Sequence, residues 1–247
     1  MKERPIIFTG ESVKAILEGR KTMTRRVAKI ICDIAARHEN IRVRKLSGRE
    51  VWSINRDAMY TPALREPFEV ACRYGVPGDR LWVRETFVLE PEVDGEPPTF
   101  GDGRPTLWEG ENGKTWVQAH YRATDPTPEL SCTGGHKCDG STPCCHWRPS
   151  IFMPRWASRL TLEITDLGVE RVQDISKQDA LAEGIEALKD QFNGCFVVAE
   201  EIGKGGGMSG TTAKECFQRI WDSINAKRGY GWDVNPWVWV ISFKQLK

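Results

Sequence analysis

Apolar positions recur with two different periods along this chain, and the changes of period mark out its elements. Pro5 to Phe8 reads as a short strand. Val13, Ile16 and Leu17 then fall at i, i+3 and i+4, the spacing of one helical face, and Gly19 supplies a residue able to end that helix. Leu81 to Val88 follows the Pro77-Gly78-Asp79 turn as a strand, and Val117 to Ala123 is another. Arg159 to Thr165 alternates cleanly, with Leu160, Leu162 and Ile164 on one face, the pattern of a half-buried strand. Ser176 with Asp179, and Thr212 with Glu215, have capping-box spacing, so each pair opens a helix. The first helix carries Leu181, Ile185 and Leu188; the second carries Phe217, Ile220, Trp221 and Ile224. Trp237 to Phe243 is an apolar closing strand whose Trp237, Trp239, Ile241 and Phe243 share a core-facing side.

Between these segments the periods fail. Residues 29–76 are basic and broken by Gly48 and Pro62, residues 91–115 are rich in Pro, Gly and acids, and residues 131–147 are rich in Cys and His. Residues 193–210 hold five glycines from Gly203 to Gly210, without the Gly-Lys-Ser/Thr of a phosphate-binding loop. These four stretches read as insertions in a single domain covering 1–247. Strands outnumber helices and do not alternate with them regularly, which gives an α+β class built on a small barrel or curled sheet rather than a doubly wound fold.

Charge sharpens this picture locally, not globally. The formal net charge of the 247 residues is only +1, yet residues 20–49 carry ten Lys/Arg against two Asp/Glu, while residues 90–112 carry seven acids against one arginine. That segregation supplies one basic region able to steer a polyanion. No apolar run approaches the ~20 residues of a membrane span, and Met1-Lys2-Glu3-Arg4-Pro5 does not open a signal peptide. A cytoplasmic protein with no membrane partner is expected, with its eight cysteines reduced. Cys132, His136, Cys138, Cys144, Cys145 and His146 then suggest a structural zinc. The preferred ligand set is Cys132, Cys138, Cys144 and His146, with His136 and Cys145 as substitutes.

The densest chemistry lies in Gly19-Arg20-Lys21-Thr22-Met23-Thr24-Arg25-Arg26. Three arginines can hold an anion, and Thr24 sets a hydroxyl near the Lys21 amine. A bland reading stands beside this one. Cations suit a helix C-terminus, and a threonine in a solvated loop bonds its own backbone. On the Leu81–Val88 strand, alternation puts Trp82 and Arg84 on one face, and Val83, Glu85 and Phe87 on the other. An inward Glu85 needs a partner, and an arginine of the basic octet is the expected one. Arg148, Ser150, Arg155 and Trp156 cluster around two prolines, an arrangement able to pair with phosphate and stack on a base.

Together, Gly19-Arg-Lys-Thr-x-Thr-Arg-Arg26, Pro77-Gly-Asp-Arg-Leu-Trp-Val-Arg-Glu85, Trp147-Arg-Pro-Ser-Ile-Phe-Met-Pro-Arg-Trp-Ala-Ser-Arg159 and Asn235-Pro-Trp-Val-Trp-Val-Ile241 resemble the activating-signal-cointegrator homology (ASCH) family, in its longer bacterial and phage form. The resemblance implies a PUA-like small β-barrel flanked by helices, with a cleft for RNA, DNA or a nucleoside. Some small members are amidohydrolases of N4-acetylcytidine that use a Lys-Thr-Glu set; others are reported as ribonucleases. Carried over by motif, the set is Lys21, Thr24 and, from Asp179-Ala-Leu-Ala-Glu-Gly184, Glu183, with Glu85 as the second choice of acid. Thr24 would be the nucleophile. Lys21 would be its base, if desolvation or Arg20, Arg25 and Arg26 lower its pKa. Glu183 would shuttle the proton or orient the lysine, and Arg25 or backbone N–H groups of the turn would stabilise the oxyanion. Arg20, Arg25, Arg26, Arg84, Glu85, Arg148, Arg155 and Trp156 would contact the substrate. The rival readings are a non-catalytic RNA- or DNA-binding module and a nuclease.

Overall fold

Two of the sequence's strongest local signals, the capping boxes and the long alternating run, take the forms their chemistry dictates. They do so in a computed structural model that describes residues 1–37, 41–47, 51–56, 68–91, 108–109, 115–126, 147–187, 196–197 and 212–246. The elements in chain order are β1 (Glu3–Ile7), α1 (Gly10–Leu17), β2 (Met23–Val27), α2 (Lys29–Ala35), β3 (Ile41–Lys45), β4 (Val51–Arg56), β5 (Phe68–Ala71), β6 (Arg80–Arg84), β7 (Phe87–Pro91), β8 (Trp108–Glu109) and β9 (Thr115–Tyr121). Then come β10 (Thr161–Arg171), α3 (Lys177–Ala182), β11 (Glu186–Ala187), β12 (Phe196–Val197), α4 (Ala213–Asn225) and β13 (Trp237–Leu246). The class is α+β, with several sheets and few helices. The largest sheet has the order β1-β6-β10-β13-β2.

The chain divides into two units, one comprising 1–4, 15–81 and 161–247, the other 5–14 and 82–160. In the first unit, β10 and β13 pair antiparallel from Thr161↔Leu246 to Arg171↔Trp237, with an irregularity between Ile164 and Asp166. Leu160, Leu162 and Ile164 are all buried, as the alternation predicts. β13 pairs on its other side with β2, Thr24 opposite Ile241 and Arg25 opposite Val240. Both capping boxes form. Ser176 accepts from the Asp179 amide and Thr212 from the Glu215 amide, while each acid answers to its cap's backbone N–H. Each cap is worth about 1 kcal/mol. The amphipathic α4 lays Cys216, Phe217 and Trp221 against Val172, Ile175, Ala180, Ile185, Trp232 and Val238. A meander β3-β4-β5 belongs to the same unit, where Trp52 meets Trp239 edge-on at 4.9 Å.

The second unit is built around the antiparallel sheet β7-β9-β8. Phe87, Met153 and Ala157 are buried there, with Ala119, Tyr121 and Trp156 packed against them.

Several expectations change. The Leu81–Val88 segment is two strands, β6 and β7, because Glu85 leaves the ladder to meet an arginine side chain. Residues 29–76, an insertion in which no period is legible, contain α2 and the three-stranded meander; a strand such as Ile41-Arg-Val-Arg-Lys45 hides its alternation among arginines. The last four residues of the basic octet, Met23 to Arg26, belong to strand β2 rather than to a solvated loop. Leu17 and Ile224 stay exposed, since Val13, Ala15 and Ile16 fill the buried side of α1 and Phe217 and Trp221 that of α4. Trp237 is only half-buried, with the Arg171 guanidinium 4.5 Å from its ring centroid.

Cys132, His136, Cys138, Cys144, Cys145 and His146 lie outside the described residues, as do the glycines from Gly203 to Gly210. Among the described residues, no group of three or more His, Cys, Asp or Glu is placed to hold a metal. No described helix is long and apolar enough to cross a membrane.

Candidate functional site

Local geometry in the first unit carries the basic octet inward. Gly19 takes φ +73°, the left-handed conformation that ends α1. The Arg20 and Lys21 amides then both donate to the Ala15 carbonyl at 2.9 Å, closing the helix end. Thr22 ties the segment to its neighbours, its amide donating to the Ala182 carbonyl and its carbonyl accepting from Phe243, each at 2.9 Å. Lys21, Thr24 and Arg25 are consequently buried.

The approach from α3 depends on one residue. Glu183 caps the C-terminus of α3, and Gly184 follows with φ +97°. A Cβ at Gly184 would lie 3.1 Å from the Ala15 Cβ and 3.3 Å from the Lys21 Cβ. Glycine therefore serves twice here, allowing the positive φ and letting the α3 end close on the lysine.

What meets across that gap is a buried ion cluster. Lys21 Nζ donates to Glu183 Oε2 and to the Glu183 carbonyl, both at 2.6 Å. The side chains of Lys21 and Glu183 are 5% and 6% exposed, so water screens the pair little. Arg25, whose side chain is wholly buried, stands on the other side of Glu183, with Nη1 3.6 Å from Oε1. Its Nε and Nη2 reach Glu170 Oε1 at 2.7 and 2.6 Å, and Nη2 also reaches Asp179 Oδ2 at 3.1 Å. Among the described residues Glu183 Oε1 has no hydrogen-bond partner. Arg20 bonds Glu18 and the Gly184 carbonyl, which fastens the same turn from outside.

Burial pushes the Lys21 ammonium below the ordinary lysine value. The Glu183 carboxylate opposes that shift, and the charges of Arg26 and Arg25 add to it. Desolvation dominates because the whole side chain has left water. Strand alternation sends Thr24 and Arg26 to the face of β2 opposite Arg25. The Arg26 charge nonetheless disfavours the charged form of Lys21. Burial lowers the Arg26 guanidinium in turn.

The second unit holds the remaining predicted positions. Glu85 is buried, but its partner is Arg159, not an arginine of the octet. Nε and Nη2 of Arg159 meet Oε1 and Oε2 at 2.9 Å each. The sequence expectation misassigned this pairing because a fork-to-fork match depends on fold, not on local charge density. The Arg159 guanidinium lies 4.0 Å from the Tyr121 ring centroid, and its Nη1 donates to Thr124. The Tyr121 hydroxyl donates to the Ala157 carbonyl at 2.8 Å, and burial pushes its pKa up to about 12. Arg84 stacks over Trp82 at 4.6 Å, the shared face that alternation predicts. Arg148 and Arg155 are exposed, and Trp156 packs against the small core of this unit.

The structure thus joins Lys21 to Glu183 and places Arg25 beside them. Glu170 and Asp179 escaped the sequence reading as members of the cluster. Asp179 was legible only as a cap, and Glu170 lies on a strand where nothing local distinguishes an acid aimed at a buried arginine from a solvated one. A scan against protein-family models found no match to this chain, and comparisons with curated proteins and with solved structures found none either.

Proposed function

We propose that this chain is an ASCH-type protein with a PUA-like barrel, and that its Lys21–Thr24–Glu183 set hydrolyses the amide of an N4-acylated cytidine-type nucleoside. The observation that supports this reading most is the buried Lys21–Glu183 pair, a lysine that burial biases toward the neutral amine beside a carboxylate with one oxygen still open. A lysine lowered in this way reaches its neutral, basic form at a lower pH than an ordinary one at ~10.4 does. In the proposed reaction Thr24 Oγ attacks the acyl carbonyl carbon and its proton passes to Lys21 Nζ. The carbon–nitrogen bond breaks, the N4 amine leaves with the proton that Lys21 returns, and water hydrolyses the threonyl ester to the free acid. Glu183 holds the lysine in place through both transfers. Incubation with N4-acetylcytidine tests this reading: cytidine and acetate should form, and Thr24→Ala should abolish turnover. No deacetylation, or undiminished activity in that variant, overturns it.

A non-catalytic nucleic-acid module is favoured by one observation in the second unit. Phe152, 66% exposed, and the exposed Ile151 lie between the exposed Arg148 and Arg155 in sequence. An exposed aromatic flanked by arginines can stack on bases and pair with phosphates. That reading predicts salt-sensitive binding of single-stranded RNA or DNA without turnover, weakened by Phe152→Ala.

A further inference from the structure

We propose that Arg25 is a positioning residue of this site: its guanidinium, locked by Glu170 and Asp179, holds the Oε1 side of Glu183 so that Oε2 is presented to Lys21. The inference rests on the amidohydrolase reading for its catalytic meaning, but the arrangement it describes is in the geometry. Arg25 occupies the face of β2 away from Thr24 and touches no predicted reacting atom. Its side chain is wholly buried, its Nε and Nη2 share Glu170 Oε1, and Nη2 also reaches Asp179 Oδ2. Nη1 is turned toward Met23 Sδ at 3.4 Å and Glu183 Oε1 at 3.6 Å. The Phe217 ring lies 5.9 Å from the guanidinium carbon and helps fix its place.

A planar guanidinium held on one edge by two carboxylates can turn only its remaining nitrogen to a third. Glu183 is therefore shared between two cations, Arg25 at Oε1 and Lys21 at Oε2. That sharing weakens the hold of Glu183 on the lysine proton, and the Arg25 charge itself disfavours a second cation nearby. Among the described residues, the charged groups acting on Lys21 include Glu183 from the end of α3 and Arg25 and Arg26 from β2. Those around Arg25 are Glu170 from β10 with Asp179 and Glu183 from α3.

Two variants of the full chain test the arrangement with a readout independent of turnover, the titration of Lys21 followed by NMR of its isotopically labelled side chain, assigned by the loss of that signal in Lys21→Arg. Arg25→Met removes the competing cation, so the Lys21 midpoint moves up. Glu170→Gln removes one anchor of Arg25, leaves Lys21 and Glu183 intact, and lets Arg25 lean more fully on Glu183, so the midpoint moves down. A cluster whose members merely stabilised the fold would loosen in both variants and drift toward the ordinary lysine value in both. Upward in Arg25→Met with downward in Glu170→Gln supports the proposal. No shift in either variant, or the same direction in both, overturns it. If Arg25→Met fails to fold, Glu170→Gln decides alone, a fall supporting the proposal and no change or a rise overturning it. Absence of wild-type turnover on N4-acetylcytidine would overturn the catalytic reading while leaving these titrations to decide the role of Arg25.

Discussion

Two buried carboxylates in this molecule, Glu183 in the first unit and Glu85 in the second, each sit against a cation, yet they are built to different ends. Glu85 meets Arg159 fork to fork, both oxygens taken at 2.9 Å, with Tyr121 against the guanidinium and Thr124 on its third nitrogen. Every group there is satisfied, and an arginine does not give up its proton under ordinary conditions. Glu183 instead meets a lysine whose charge burial disfavours, with one carboxylate oxygen unbonded and a second cation 3.6 Å away. Burial and ion pairing are common to both. A cation that burial pushes toward its neutral form, and a carboxylate oxygen without a hydrogen bond, belong only to the first. The contrast teaches that a buried ion pair is no sign of chemistry until its cation is one that can become neutral.

The sharpest way to break that comparison is to remove the movable proton. On the amidohydrolase reading, Lys21→Met should lower deacylation of N4-acetylcytidine by about 10²–10⁴-fold, the usual contribution of a general base, and the buried Glu183 left without its cation should lower the thermal midpoint as well. Glu85→Gln should leave turnover nearly intact, because its partner lies in a satisfied pair. Its cost should appear in stability. Glu85→Ala leaves Arg159, a quarter of whose side chain reaches water, without its carboxylate, and the loss should be read as a fall in the denaturant midpoint. Equal losses of turnover at Glu85 and at Lys21 would erase the distinction.

The sequence disclosed these two clusters unequally. Capping boxes, the Leu160-Leu162-Ile164 alternation and the glycine that ends α1 are local signals, and each appears in the structure where the chain predicts it. β2 was hidden because its Met23-Thr-Arg-Arg-Val27 sequence looks like a charged turn. Only the distant acids Glu170, Asp179 and Glu183 make a buried arginine affordable there. The partner of Glu85 was hidden for the same reason, since Arg159 is 74 residues away. The pairing of Lys21 with an acid in Asp179-Ala-Leu-Ala-Glu-Gly184 was reachable through the family resemblance, whereas no local pattern singles Glu183 out.

A smaller effect sharpens the comparison through the backbone. Gly184→Ala keeps every charged group but demands a positive φ of a residue with a Cβ and crowds Ala15 and Lys21. A loss of about 1–3 kcal/mol is expected from the strained backbone, together with reduced turnover as Lys21 and Glu183 are forced apart. A variant with wild-type stability and turnover would show that the close approach of the α3 end is dispensable.

The smallest effect is one of slope, and its sign differs between the two units. Lys21 is lowered in the folded state, so between that value and its unfolded ~10.4 the unfolded chain binds more protons, and its contribution to stability rises with pH. Tyr121 is raised to about 12 in the folded state, against ~10 unfolded. Its contribution is fully present below the unfolded value and is lost as pH climbs toward the folded one, because there the folded chain holds the extra proton. On the amidohydrolase reading, turnover should follow only the first group, rising with pH as Lys21 becomes neutral and reaching its plateau below the ordinary lysine value. Denaturant midpoints measured across the alkaline range should therefore lose their rising part in Lys21→Met and their falling part in Tyr121→Phe. The pH profile of kcat/KM should stay unmoved by Tyr121→Phe, since the phenol belongs to the cluster whose protons stay where they are. A shift of the kinetic limb in Tyr121→Phe would mean that the two buried carboxylates do not work independently.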